Sequence, residues 1–296
     1  MNQLLFERYL KNFRETLREN GIEKGDILYV ASDLSGVLID ARRELEISSA
    51  EDRSRFCDGM VTALQETVGP GGQLLFPVFS WAFCKGAAFD CRRTKGEVGI
   101  LGNHILFHRS DFSRTSHPIY SFMTWGQNAE TLCRMQNQES WGRQSPFAYL
   151  HKAGAKQLNL NVSTQRSFTF QHYVEQSLKV PYRYPKYFMG RYVDLDGSEE
   201  VRTYSMYVRN LDIQMKEYLP EEFVLNSGCA KRADWRTVYF TVIDFRKAYD
   251  VLERDLRENG GMNLYSFVDY RLKWDQPRHH YEVRYLDGTT MEAATC

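Results

Sequence analysis

The order strand, helix, strand over residues 26–79 constrains this chain more than any other feature. Asp26-Ile27-Leu28-Tyr29-Val30-Ala31 reads as a short buried strand that runs into a small-residue loop, Ser32-Asp33-Leu34-Ser35-Gly36. A helical pattern through Phe56, Val61, Leu64 and Val68 stops at Gly69-Pro70-Gly71-Gly72, and Gln73 to Phe79 forms a second apolar strand. Two parallel strands need a long connection between them, so this order predicts a parallel crossover and a sheet covered on both faces.

The rest of the chain extends that pattern. An amphipathic opening helix through Leu5, Tyr9, Leu10, Phe13 and Leu17 stops at Asn20-Gly21. Leu158 to Val162 is a further strand candidate, and Arg191 to Val208 reads as paired strands about an Asp196-Gly197 turn. A helix is expected from Asp244 to Asn259, closed by Gly260-Gly261, and a late strand near Tyr281 to Tyr285. No repeat and no linker interrupts the 296 residues, so one domain over 1–296 is expected. The expected fold class is α/β, with a mostly parallel central sheet and an irregular α+β C-terminal half.

Charge and cysteine usage narrow the function classes. Thirty-eight basic residues balance thirty-eight acidic ones, which leaves no bulk field to recruit nucleic acid. No run approaches the ~20 apolar residues of a membrane span, and no signal peptide is visible, so a cytoplasmic location is expected. The six cysteines form no CxxC pair and read as reduced thiols, with no metal site expected. Oligomeric state is not legible, and a homodimer stays open.

Four segments carry chemical meaning, each with a plainer rival. Thr169-Phe170-Gln171-His172-Tyr173-Val174-Glu175 places a hydroxyl, an imidazole and a carboxylate three residues apart, on one face of a helix. Such a face offers a base, a group to orient it and a donor; a surface helix with an exposed His–Glu pair has the same spacing. Ser32-Asp33-Leu34-Ser35-Gly36 lies at a strand's C-terminal end, where open α/β sheets bind ligands, or is a plain connection. Arg114-Thr115-Ser116-His117-Pro118 suits a phosphate or a carbonyl, and equally a polar turn. Trp81, after Pro77-Val78-Phe79-Ser80, is a candidate pocket wall or a core aromatic.

In this order and at these distances the segments resemble the antibiotic N-acetyltransferase family, whose best-known members are aminoglycoside 3-N-acetyltransferases. The resemblance covers about residues 1 to 260 and is densest from 70 to 190. It is carried by Gly25 to Val30 with Ser32 and Leu34-Ser35, Gly71 to Trp81, Phe89-Asp90, Glu97-Val98-Gly99, Ser116-His117-Pro118, Ser121-Phe122, Gly126, Ser145-Pro146-Phe147, Thr169, His172 and Glu175. It implies a three-layer α/β/α sandwich distinct from the GCN5-related fold. It also implies acetyl-CoA as co-substrate, no metal, and direct transfer of an acetyl group to a primary amine. On that likeness His172 is the general base, Glu175 its orienting carboxylate and Thr169 a donor near the thioester carbonyl. Ser32, Leu34, Ser35, Arg114, Ser116 and His117 would line the cofactor path, and Trp81 and Asp90 the substrate side.

Two positions depart from the family pattern. Asp33 stands where a small hydroxyl is expected, and a carboxylate beside a pyrophosphate is unfavourable unless it turns away. Phe168 replaces a usual polar residue, which is expected to make the substrate side more apolar. The amine is expected to belong to an aminoglycoside or a related amino sugar. Aminoglycosides are polycations, and a local acidic cluster such as Asp90, Glu97, Glu221 and Glu222 would be needed to meet one. A single-amine sugar of surface-glycan or nucleotide-sugar biosynthesis is the alternative acceptor. A non-catalytic member that binds CoA or sugar is a third reading, opposed by the Thr169, His172, Glu175 set, since a binding module needs no base.

Overall fold

The computed structural model describes residues 1–211, 213, 215–217, 219–267, 279–284 and 290–295. The strands in chain order are β1 (Ile27–Ser32), β2 (Gln73–Phe79), β3 (Phe89–Asp90), β4 (Ser113–Arg114), β5 (Tyr120–Gly126), β6 (Lys156–Leu160), β7 (Arg183–Val193), β8 (Glu199–Arg209), β9 (Met215–Glu217), β10 (Ala230–Trp235), β11 (Val238–Asp244), β12 (Tyr265–Phe267), β13 (His279–Arg284) and β14 (Thr290–Thr295). The helices are α1 (Gln3–Glu19), α2 (Leu34–Leu45), α3 (Ala50–Val68), α4 (Ile100–His108), α5 (Ala129–Cys133), α6 (Pro146–Ala153), α7 (Thr164–Ser167), α8 (Phe170–Leu178), α9 (Glu221–Asn226) and α10 (Phe245–Glu258).

The central sheet has seven strands in the order β10-β11-β6-β1-β2-β5-β4. The crossover is present: β1 pairs in parallel with β2, and with β6 on its other side. The pairings β2–β5, β4–β5, β6–β11 and β10–β11 are antiparallel. The sheet is therefore mixed, not mostly parallel, which corrects the expectation. Buried apolar runs do not encode direction, because a strand covered on both faces reads alike either way.

Alternation along β1 explains the layering. Leu28 and Val30 join one buried cluster with α1, α2, α3 and α4, while Tyr29 and Ala31 join another with α6, α8 and α10. The second cluster also takes in Phe188, Tyr192, Tyr204 and Tyr207 from β7 and β8. These two strands form the expected hairpin about Asp196-Gly197, within a second sheet ordered β14-β13-β7-β3 with β8 against β7. β13 covers most of the expected late strand, and Tyr285 lies outside the described residues.

Local chemistry sets the boundaries. Ser49 and Asp52 form a reciprocal capping box at the start of α3, which ends at Gly69 with φ 67°. In the following turn Gly72 is required for space, since a Cβ there would meet the Val68 carbonyl oxygen at 2.7 Å. Asp244 caps α10 by accepting from the backbone N–H of Arg246 and Lys247. Among the described residues no helix is long and apolar enough to cross a membrane, and no disulfide joins Cys57, Cys84, Cys91, Cys133 or Cys229.

Candidate active site

Three elements meet at the C-terminal ends of β1 and β2. The backbone leaves β1 at Ser32, and Asp33 caps α2 by accepting the Ser35 N–H at 2.9 Å. The segment 32–36, expected as a loop, is thus a strand end, a cap and the first helical turn. Helix α4 lies directly on β2, because Gly102 has no Cβ to strike the Pro77 carbonyl oxygen 2.2 Å away. Its start, Gly99 and Ile100, reaches the same space, and α8 closes it from the other side.

These elements enclose a cavity of about 510 Å³. Ser32, Asp33, Leu34, Ser35, Trp81, Thr169 and His172 all line it, so most of the predicted site residues are gathered in one place. Trp81 stands edge-on to Tyr120 with ring centroids 6.3 Å apart, and its indole N–H faces the Tyr120 hydroxyl at 3.4 Å.

His172 is held on one nitrogen. Its Nδ1 lies 2.7 Å from Glu175 Oε2, one turn along α8, and Nε2 has no hydrogen-bond partner among the described residues. The edge of the Trp141 ring packs against the imidazole at 5.0 Å. Glu175 is fully buried. Its Oε1 accepts from the Tyr182 hydroxyl at 2.8 Å and from the Tyr265 hydroxyl, and Arg183 Nε stands 2.9 Å from Oε2. The Arg183 Nε–H is not aligned for a hydrogen bond, so that contact is an ion pair.

Burial alone would raise the Glu175 pKa, but the Arg183 charge and the His172 and Tyr265 hydrogen bonds outweigh it and hold the carboxyl at about 2. Glu175 is therefore an anion at neutral pH, and its Oε2 accepts the proton that His172 carries on Nδ1.

Four predicted residues lie elsewhere. Arg114 is buried, with Nε donating to Ser121 Oγ at 3.0 Å and Nη1 to the Thr94 carbonyl at 2.7 Å, while its guanidinium stacks on Phe89. Ser116 donates to the Met135 carbonyl at 2.7 Å. His117 is 1% exposed, and its Nδ1 accepts the Ile119 and Tyr120 N–H groups at 3.2 Å. Burial pushes the His117 pKa down to about 3, so it stays neutral. All three tie loops to the sheet and none lines the cavity, contrary to the expectation of a cofactor path. Asp90 is also away from it, its carboxylate held by the Arg92 side chain and N–H.

Phe168 points into the core against Phe170 and Phe245, so it does not make the cavity more apolar. Of the charged residues on the cavity wall, the sequence marks Glu97 only as part of an acidic cluster and does not mark Arg166. Glu97 accepts the Trp81 N–H at 2.7 Å through Oε1 while facing the cavity, and Arg166 is the only lining arginine or lysine among the described residues. Glu221 accepts from the Thr241 hydroxyl instead, and among the described residues Asp33 and Glu97 are the only carboxylates that line the cavity. Among the described residues no group of three or more His, Cys, Asp or Glu could hold a metal ion.

The site is thus a mixed α/β frame that opens a carboxylate-held imidazole onto a cavity at its strand ends. The family model for aminoglycoside 3-N-acetyltransferase matches residues 46–257, and the chain belongs to that family. A Salmonella relative, aminoglycoside N(3)-acetyltransferase IV, is 26% identical over 166 residues, which are 55% of this chain and 60% of that protein's length. Among solved structures, aminoglycoside acetyltransferase AAC(3)-Xa superposes with a TM-score of 0.68 at 19% identity, over 86% of this chain and 96% of that one. AAC-IIIb in binary complex with CoASH gives 0.66 at 19% identity, over 84% and 96%. The chain has the fold of these structures.

Proposed function

We propose that the protein transfers an acetyl group from acetyl-CoA to a primary amine of an aminoglycoside or related amino sugar, with His172 as general base. The observation that carries this is the Nδ1 bond from His172 to buried Glu175, which leaves Nε2 for the incoming nitrogen. Membership of the family and the likeness to a CoASH-bound structure supply the co-substrate.

An ammonium has no lone pair, so the acceptor must lose a proton before it attacks. His172 Nε2 takes that proton, and the Glu175 anion stabilises the imidazolium. The nitrogen then adds to the thioester carbonyl carbon, the C–N bond forms and the C–S bond breaks. Two protons leave the nitrogen in all: one is handed by His172 to the departing CoA thiolate, and the other reaches solvent. Thr169, beside His172 on the cavity wall, is the donor to the oxyanion of the tetrahedral intermediate.

The acetyl-CoA side is assigned to Ser32, Leu34 and Ser35. The Ser32 and Ser35 hydroxyls have no hydrogen-bond partner among the described residues, and the start of α2 favours an anion. Asp33 opposes it in part, although its carboxylate is engaged by the Ser35 N–H. Arg166 supplies the positive charge on this wall. Trp81 and Glu97 take the place of Trp81 and Asp90 on the amine side.

The test is release of free thiol from acetyl-CoA with a panel of aminoglycosides and amino sugars. General-base help is worth ~10²–10⁴-fold, so His172→Ala should lower turnover by that factor. Full activity in His172→Ala would remove His172 as the base, and absence of turnover across the panel would defeat the transferase reading.

A further inference from the structure

A second and larger cavity, of about 750 Å³, lies along the later part of α8, the helix whose His172 lines the first. Gln176 lines it and lies four residues beyond His172, on the same helix face one turn away. Trp141 forms the partition, since it lines this cavity while its ring edge packs on His172. Its indole N–H is buried and makes no hydrogen bond among the described residues, so one polar group at the partition awaits a partner.

The lining is polar in a particular way. Gln136, Gln138, Gln144 and Gln176 all contribute, and their side-chain amides make no hydrogen bonds among the described residues. Among the described residues Glu139 is the only lining carboxylate, and the two lining cations, Arg143 and Lys179, form no ion pair. Four amides and an indole N–H suit a ring of hydroxyls, and two unpaired cations against one carboxylate suit an anion and repel a polycation.

We infer that this cavity binds the acceptor as a sugar bearing one amine and an anionic group, such as a phosphate or carboxylate, rather than a polycationic aminoglycoside. The inference rests on the reading of His172 as the base, because it places the sugar's amine at the partition and its anion at Arg143 and Lys179.

Binding and turnover separate the two. Calorimetry on His172→Ala with saturating CoA compares glucosamine 6-phosphate, glucosamine and sisomicin as probes. The expected order is phosphate sugar tighter than glucosamine by at least 10-fold, with sisomicin weakest. Arg143→Glu, at an exposed position that should fold normally, is expected to remove the advantage of the phosphate while glucosamine binds no more weakly than before. Sisomicin binding as tightly as the phosphate sugar, an unaltered preference in Arg143→Glu, or no binding by either single-amine sugar would each overturn the inference. So would competition between CoA and glucosamine 6-phosphate, since it would place the cofactor in this cavity. Phosphate-dependent binding without turnover in the wild-type protein would defeat the transferase reading alone and leave the cavity's preference standing.

Discussion

Replacing Glu175 with glutamine tests how the site is held together, because shape is kept and charge removed. The wild-type carboxyl is held near 2 against an ordinary 4.5. At about 1.4 kcal/mol for each tenfold change in proton affinity, that corresponds to about 3 kcal/mol of stability at neutral pH. The substitution also leaves the Arg183 guanidinium, with a side chain 8% exposed, without its counter-ion. Breaking a buried pair in this way costs about 3–5 kcal/mol, in agreement with the first figure.

The sign follows from the depressed pKa. The Glu175 contribution is fully present above about pH 4.5 and is lost as pH falls through about 2. Urea denaturation at pH 7 should show Glu175→Gln less stable by about 3–5 kcal/mol, and at pH 3 the difference should shrink by about 2 kcal/mol. Equal stability at pH 7, or a gap that does not shrink in acid, would refute the ion-pair argument. Turnover should fall as well, because a neutral amide stabilises the His172 imidazolium less.

Four other substitutions probe the frame. Asp33→Ala removes the α2 cap and should cost about 1 kcal/mol by thermal melting, while acetyl-CoA should bind no more weakly once the carboxylate is gone; weaker binding would contradict the assignment of Asp33 as a cap. Gly72→Val should destabilise by more than 1 kcal/mol through its clash with Val68, whereas Gly71→Ala, which has open space, should be nearly silent in the same melt. Arg114→Leu strips donors from the Thr94, Cys91 and Val78 carbonyls and should cost about 2–4 kcal/mol. Its KM for acetyl-CoA measured below the melting range should stay at the wild-type value, and a large rise would restore Arg114 to the cofactor path.

Features that depend on near neighbours in the chain were legible in the sequence. The opening helix, the stop at Gly69, the β7–β8 turn and the helix face of His172 and Glu175 all rest on spacings of a few residues, and the β1-to-β2 crossover rests on a long helical connection between two strands; the directions of the other strands had no such mark. Strand direction and burial are set by the whole fold, and there the string was mute. Arg114, Ser116 and His117 look like ligand groups because a polar triplet in a loop reads the same whether it faces solvent or the core. Tyr182, Arg183 and Tyr265 around Glu175 arrive from as far as 90 residues away, with no local mark to announce them. The choice of Glu97 over Asp90 did have a signal. Arg92 stands two residues after Asp90 and satisfies it locally, leaving Glu97 as the acid of that loop that faces the cavity.

The most direct measurement is a crystal structure of the protein with CoA and an amino sugar acceptor. The account predicts the CoA thiol beside Thr169, the pantetheine arm passing Ser32 and Ser35, and the acceptor nitrogen within hydrogen-bond reach, about 3 Å, of His172 Nε2. A complex in which the thiol and the amine meet away from His172, with Nε2 facing neither, would contradict it.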